Sequence, residues 1–307
     1  MNQRTSGVLL VAFSALLWGS SFPAIKLALG GAGDEVSFSF VVSFVRLAIA
    51  AVLGLAVMLA LRRMEWRIFR EPVVWLLGVL NAISFGAQHM GLAYTTPSKT
   101  ALLVNFNVVF VAVLSYFFFR ERLGMTKATG VALGVGGVAV VATRLDPAFL
   151  SQGELSGDML VFMAGFFWSL YILYTKKGID AGLDYIGLSV AVLATTAIFC
   201  AIPLPFVNLT QPVQSAGWGG IVYLGVVSTL LPLILWSRAL MQMSATSSSV
   251  LMLLEVFFAV VLSIIFVGEV FLPVYILGGV MILAGGILAA RTKTARDHAS
   301  PQGPAKE

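Results

Sequence analysis

Glu255 makes the strongest chemical demand in this sequence. It stands about eleven residues into the apolar run 245–267, where a carboxylate costs roughly 2.5–3.5 kcal/mol to hold in hydrocarbon and therefore faces a cavity or a partner. Ser248, Met252, Ala259 and Leu262 share its helical face, a mixed surface able to line water. The carboxyl then either binds a solute or proton, or sits protonated against a neighbouring helix. Arg46, about two turns inside another apolar run, can grip a carboxylate with its planar fork. It can equally snorkel outward or pair with Asp34 or Glu35.

Further polar and aromatic residues recur at helical spacing. Asn81, Ser84, Gln88 and Thr95 form one stripe, with His89 turned about 100° from Gln88. The stripe either lines a pore or holds helices together through hydrogen bonds, and His89 alone could titrate near neutral pH. Ser14, Trp18, Ser21 and Ile25 share one face, and Ala164, Trp168, Tyr171 and Thr175 share another. Trp18 and Trp168 are too deep for interfacial belt residues, so they either pack or offer a stacking and cation–π surface. Tyr174 and Trp236 would extend that surface, while Asn105 and Asn107 point some 200° apart.

The elements that carry these residues are set by composition. Of the 307 residues, 59% are hydrophobic and only 11% charged, against about a quarter charged in soluble domains. Ten apolar stretches approach the ~20 residues needed to cross a bilayer: 8–29, 38–61, 73–94, 98–119, 125–143, 157–177, 184–206, 216–238, 245–267 and 272–290. They read as helices, because runs such as Val108 to Phe119 are apolar on every face and show no strand alternation. The first run follows Arg4 but exceeds a signal-peptide core and lacks its cleavage pattern. Cys200 is the sole cysteine, so no internal disulfide is expected.

Basic residues orient the chain, since those beside span ends stay in the cytoplasm. With the N-terminus inside, the cytoplasmic segments collect Arg4, Arg62, Arg63, Arg67, Arg70, Arg120, Arg122, Lys127, Lys176, Lys177, Arg238 and the four basic residues from Arg291 onward. Lys26, Lys99 and Arg144 are left outside, and both termini are expected in the cytoplasm. The net charge of +5 thus follows from topology and anionic lipid, with no call for nucleic acid. The polar tail after Arg291 reads as disordered.

The two halves correspond at an offset near 150. Gly7, Trp18 and Lys26 fall on Gly157, Trp168 and Lys176, while Leu114, Ser115 and Glu121 fall on Leu262, Ser263 and Glu269. Five spans per unit reverse the second copy, so the fold class is an all-α polytopic membrane protein of ten helices in two inverted five-helix repeats. The repeats are expected over 1–145 and 146–290, with a tail at 291–307. Gly130, Gly134, Gly278, Gly279, Gly285 and Gly286 allow close helix contact, within the chain or in a dimer, the first being favoured.

The paired halves, the opening "LLWGSSFPAIK" of Leu16 to Lys26, and the segments "FFFRERL" and "IIFVGEV" ending spans four and nine resemble EamA-type members of the drug/metabolite transporter superfamily, over about residues 5–290. The resemblance implies small-metabolite transport, often export, from a bacterial inner membrane, with amino acids, including aromatic ones, the first substrates to consider. Such proteins often carry a proline early in spans four and nine, where Val108 and Val256 stand here. Pro23 and Pro232 should kink spans one and eight, but their repeat mates are not prolines, so paired broken helices are not expected.

The repeat places a solute site near the midplane between halves. The expected substrate-binding residues are Trp18, Ser21, Arg46, Ser84, Gln88, His89, Trp168, Tyr171 and Glu255. No nucleotide-binding loop, zinc helix or nucleophile elbow is present, and no cofactor or metal is expected. A secondary transporter working by alternating access is the leading reading. A lipid-linked-intermediate flippase, a nucleotide-sugar-type carrier and a non-transporting enzyme or scaffold remain as rivals. The partners are a small solute, by resemblance an amino acid, and the bilayer; a monomer is favoured and a dimer stays open.

Overall fold

A computed structural model describes residues 3–21, 23–24, 35–63, 65–92, 94, 103–120, 124–146, 148, 155–206, 215–268 and 272–291. Among the described residues twelve α-helices carry the architecture: α1 (Gln3–Gly19), α2 (Glu35–Ala60), α3 (Pro72–Leu92), α4 (Asn107–Phe119), α5 (Met125–Thr143), α6 (Leu155–Asp180), α7 (Tyr185–Ala201), α8 (Ser215–Gly225), α9 (Leu231–Leu240), α10 (Ala245–Met252), α11 (Leu254–Val267) and α12 (Val274–Arg291). Among the described residues there is no strand. Among the described residues six helical segments are long and apolar enough to cross a membrane, and shorter apolar helices lie at Thr5–Gly19, Pro72–Gln88, Leu103–Phe119 and Val274–Ala289. Each overlaps one of the expected spans.

The apolar side chains divide between an interior and a lipid-facing skin. Leu47, Leu77, Leu193, Leu240 and Trp236 build one core, and Val108, Val138, Leu253 and Ile282 another. Outside them Phe117 is 72% exposed, Ile265 64% and Val280 58%, which water would not tolerate over so wide a surface but acyl chains do. Protein-facing and lipid-facing residues are equally apolar here, so association must come from close packing and a few hydrogen bonds.

Glycines supply the close packing. A Cβ on Gly285 would stand 2.6 Å from the Gly130 carbonyl oxygen, and one on Gly137 would stand 2.7 Å from that of Gly278, so α5 and α12 meet backbone to backbone. Gly91 and Gly157 make the same reciprocal approach between α3 and α6. The glycine rows of spans five and ten are therefore used inside one chain.

Pairwise packing repeats with the halves exchanged. The α3–α6 contact is matched by α9–α1, α4–α6 by α11–α1, α3–α7 by α8–α2, and α4–α5 by α11–α12, whereas α5–α12 and α2–α7 pair with themselves.

Spans four and nine are both interrupted, contrary to the expectation of no paired breaks. Phe106 has φ −60° and ψ −12°, and Leu253 φ −59° and ψ −17°, flatter in ψ than an α-helix. Each donates its N–H three residues back, Phe106 to Leu103 O and Leu253 to Val250 O, both at 3.2 Å. Each carbonyl in turn accepts from three residues on, Val109 N at 2.9 Å and Val256 N at 3.1 Å. A single 3₁₀ step thus does without proline what the sequence assigned to proline.

Span eight is interrupted differently. Val226–Leu230 forms a π-turn between α8 and α9, just before Pro232. Proline cannot donate its backbone nitrogen to the preceding turn, and the chain widens there. The Thr229 hydroxyl donates to Leu224 O at 2.7 Å, and the Ser14 hydroxyl donates to Pro232 O at 3.1 Å.

Candidate functional site

Glu255 and Arg46 both lie where two helices come together at a glycine. A Cβ on Gly19 would stand 2.8 Å from the Glu255 carbonyl oxygen, which brings the end of α1 against the start of α11. A Cβ on Gly225 would stand 3.0 Å from Arg46 O, which seats α8 against α2. Any larger residue at either glycine would push a charged side chain out of register.

Arg46 is buried, 8% exposed, and its Nε donates to Thr229 Oγ1 at 3.1 Å. The guanidinium lies over the Phe85 ring, 5.7 Å from its centroid, a cation–π contact that offsets part of its desolvation. Asp34 falls outside the described residues, and among those described no acid closes an ion pair with Arg46. Glu255 is partly buried, and its charge and that of Arg46 act on one another electrostatically without direct contact.

Aromatic rings from both halves pack against one another in two groups, one of which includes Arg46. Trp168 meets Phe85 edge-on, centroids 5.5 Å apart at 81°, and Trp18 meets Trp236 edge-on at 6.2 Å and 61°. Each joins a tryptophan of one half's leading helix to an aromatic ring of the other half. Trp236 also lies parallel to Tyr171, at 6.2 Å and 12°, and its indole N–H donates to Ser248 Oγ at 2.9 Å. Trp168 donates its N–H to Asn81 Oδ1 at 3.0 Å, and the Asn81 amide donates to Thr196 Oγ1 at 3.3 Å.

The expected residues therefore occupy distinct places. Arg46, Trp168 and Phe85 form one contiguous group, and Trp18, Tyr171 and Trp236 another. Ser84 is fully buried on α3 and its hydroxyl donates to Leu80 O at 2.8 Å. Ser21 is buried just past α1, and Gln88 is partly buried one turn beyond Ser84. The side chain of His89, like Thr95, Lys26, Glu121 and Glu269, lies outside what is described. Lys176 is paired: its Nζ donates to Asp180 Oδ1 at 2.8 Å and Leu240 O at 2.7 Å.

Sequence reasoning missed Thr229 and Phe85, the two residues that seat Arg46. Pro232 was the available signal, because a proline three residues past a threonine in an apolar helix marks where the ladder opens and a hydroxyl becomes useful.

The model of the EamA-like transporter family matches residues 5–143 and again 155–291. The chain belongs to the EamA-like transporter family. It is 27% identical to an uncharacterized transporter of Archaeoglobus fulgidus, over 97% of this chain and 100% of that protein. It is 29% identical to a probable terminal-alkyne amino-acid exporter of Streptantibioticus cattleyicolor, over 95% of this chain and 96% of that protein. The uncharacterized transporter YyaM of Bacillus subtilis is 21% identical over 92% of each chain. A solved crystal structure superposes with a TM-score of 0.76 at 20% identity, covering 94% of this chain and 99% of that one, a likeness of fold alone. As an EamA-like protein the chain is a multi-pass membrane transporter of small molecules, and both family and relatives point to transport rather than catalysis.

Proposed function

We propose that the protein is a secondary transporter that moves small metabolites, foremost amino acids including aromatic ones, out of a bacterial cytoplasm. It works by alternating access around a site between two inverted five-helix repeats, 1–145 and 146–290. The ten apolar helices cross the inner membrane with both termini, and the 291–307 tail, in the cytoplasm. The exchanged packing pairs, in which α3–α6 is mirrored by α9–α1, support the inversion. The glycine rows already spent on the α5–α12 contact support a monomer.

The observation that carries the reading is the pair Arg46 and Glu255, opposite charges held in apolar helices from different halves without joining. Charges in such segments mark solute pathways, since their insertion cost is otherwise uncompensated. Trp18 and Trp168 provide the aromatic walls, with Ser21, Ser84, Gln88, His89 and Tyr171 around them. The amino-acid exporter among the relatives supports the substrate class.

Uptake of labelled amino acids into inside-out vesicles, with and without an imposed pH gradient, tests this. Saturable accumulation that falls at least tenfold in Glu255→Gln and Trp168→Ala is expected. No flux for any amino acid, or full flux in both variants, would overturn the reading.

A further inference from the structure

A guanidinium stripped of water is stable only when its five N–H donors find acceptors or a counter-charge. Arg46 spends one donor, Nε, on Thr229. Its two terminal nitrogens have no acceptor among the described residues, yet they are not fully sealed. The Glu255 carboxylate is in the same position, without a hydrogen bond among the described residues and not sealed away. Among the described residues the other titratable group that acts on Arg46 is Cys200, a free thiol that supplies no counter-ion. Ser20, beside the Gly19 that abuts Glu255, shares a 3.3 Å hydrogen bond with Ser228, beside the Thr229 that seats Arg46, so one fixed cation and one fixed anion stand in the same neighbourhood, each with its ligating atoms uncommitted.

Resting on the transport reading above, we propose that Arg46 and Glu255 form a two-ended clamp for the free α-amino-acid zwitterion. The substrate carboxylate lies on the two Arg46 terminal nitrogens and its ammonium on the Glu255 carboxylate. Thr229, from the π-turn, and the Phe85 face hold the guanidinium so that its fork points into the site rather than toward a protein acid. The substrate side chain meets the edge-to-face pair of Phe85 and Trp168. Arg46 belongs to the first half and Glu255 to the second, so a ligand with both charges ties the halves together. A ligand with one charge satisfies one half and leaves the other end with a desolvated ion.

Calorimetric titration of the full-length protein in detergent tests the clamp with three ligands of equal ring: L-phenylalanine, 3-phenylpropionate, which lacks the ammonium, and phenethylamine, which lacks the carboxylate. Truncating one member of a buried charge pair weakens binding about thirtyfold or more. The wild type is therefore expected to bind each analogue at least about thirtyfold more weakly than phenylalanine. Arg46→Gln should bind phenylalanine no better than phenethylamine while holding phenethylamine within about threefold of wild type. Glu255→Gln should show the converse with 3-phenylpropionate, and that retained binding proves the variants folded. Variants that keep wild-type discrimination, or that lose all three ligands together, overturn the clamp and leave amino-acid transport standing. A wild type that binds none of the common amino acids removes the transport reading's substrate class as well.

Discussion

The indole N–H of Trp168 donates to Asn81 Oδ1, and the other end of the same amide donates to Thr196. One side chain thus ties span three to spans six and seven, and it fixes the plane of the tryptophan that faces Phe85.

Replacing Asn81 by leucine strands the Trp168 donor in an apolar interior, where an unmade bond costs about 1–3 kcal/mol. Asn81→Leu should lower the melting temperature in detergent by several degrees and weaken substrate binding through a tilted indole. Asn81→Asp, which keeps the acceptor, should recover the indole's orientation. Intrinsic fluorescence of Trp168, in a background where the other tryptophans are phenylalanine, reads that orientation.

The spans and the repeat were legible because hydrophobicity and charge are written locally, one residue at a time. The Asn81–Trp168 bond was not, since its partners are 87 residues apart and nothing along the chain joins them. Asn81 could be seen only as a member of a polar stripe, with lining and bracing equally open. Arg46 shows the same limit, for its acceptor Thr229 lies 183 residues away. The breaks at Phe106 and Leu253 leave no proline in the sequence to mark them, because a 3₁₀ step needs only a change in ψ.

Gly285 and Gly86 should respond oppositely to alanine. A Cβ at 285 meets the Gly130 carbonyl oxygen at 2.6 Å and the Gly134 nitrogen at 2.8 Å, backbone atoms that cannot rotate aside. Gly285→Ala must part α5 from α12 and should cost about 1–3 kcal/mol, as overpacking does. Nothing lies within 4 Å of a Cβ at 86, so Gly86→Ala should stabilise the helix by about 0.5–1 kcal/mol through lost chain entropy. Paired thermal melts decide the signs.

The orientation expected from the basic loops is accessible to chemistry. With Cys200 replaced by serine, single cysteines at Asp146, Ala181 and Phe206 sample three connections between helices. Membrane-impermeant maleimide on intact cells should label 146 and 206 and leave 181 unmodified until the membrane is opened. Labelling of 181 alone would invert the topology and refute the charge rule for this chain.

Proline should be tolerated at Val256 and not at Val260. Inside a helix proline removes a hydrogen bond and collides with the carbonyl four residues back, a penalty of about 3 kcal/mol or more. Val256 is the third residue of α11, in the first turn after the break at Leu253, where its N–H makes only a 3.1 Å bond to Leu253 O. Losing that bond costs about 1 kcal/mol, and the fixed φ of proline already suits a helix start. Val256→Pro should therefore shift the melting temperature little and preserve transport, while Val260→Pro, two turns inside α11, should collapse both. Equal damage at the two positions would mean that α11 runs on continuously from α10, and that Glu255 owes its placement to something other than the break.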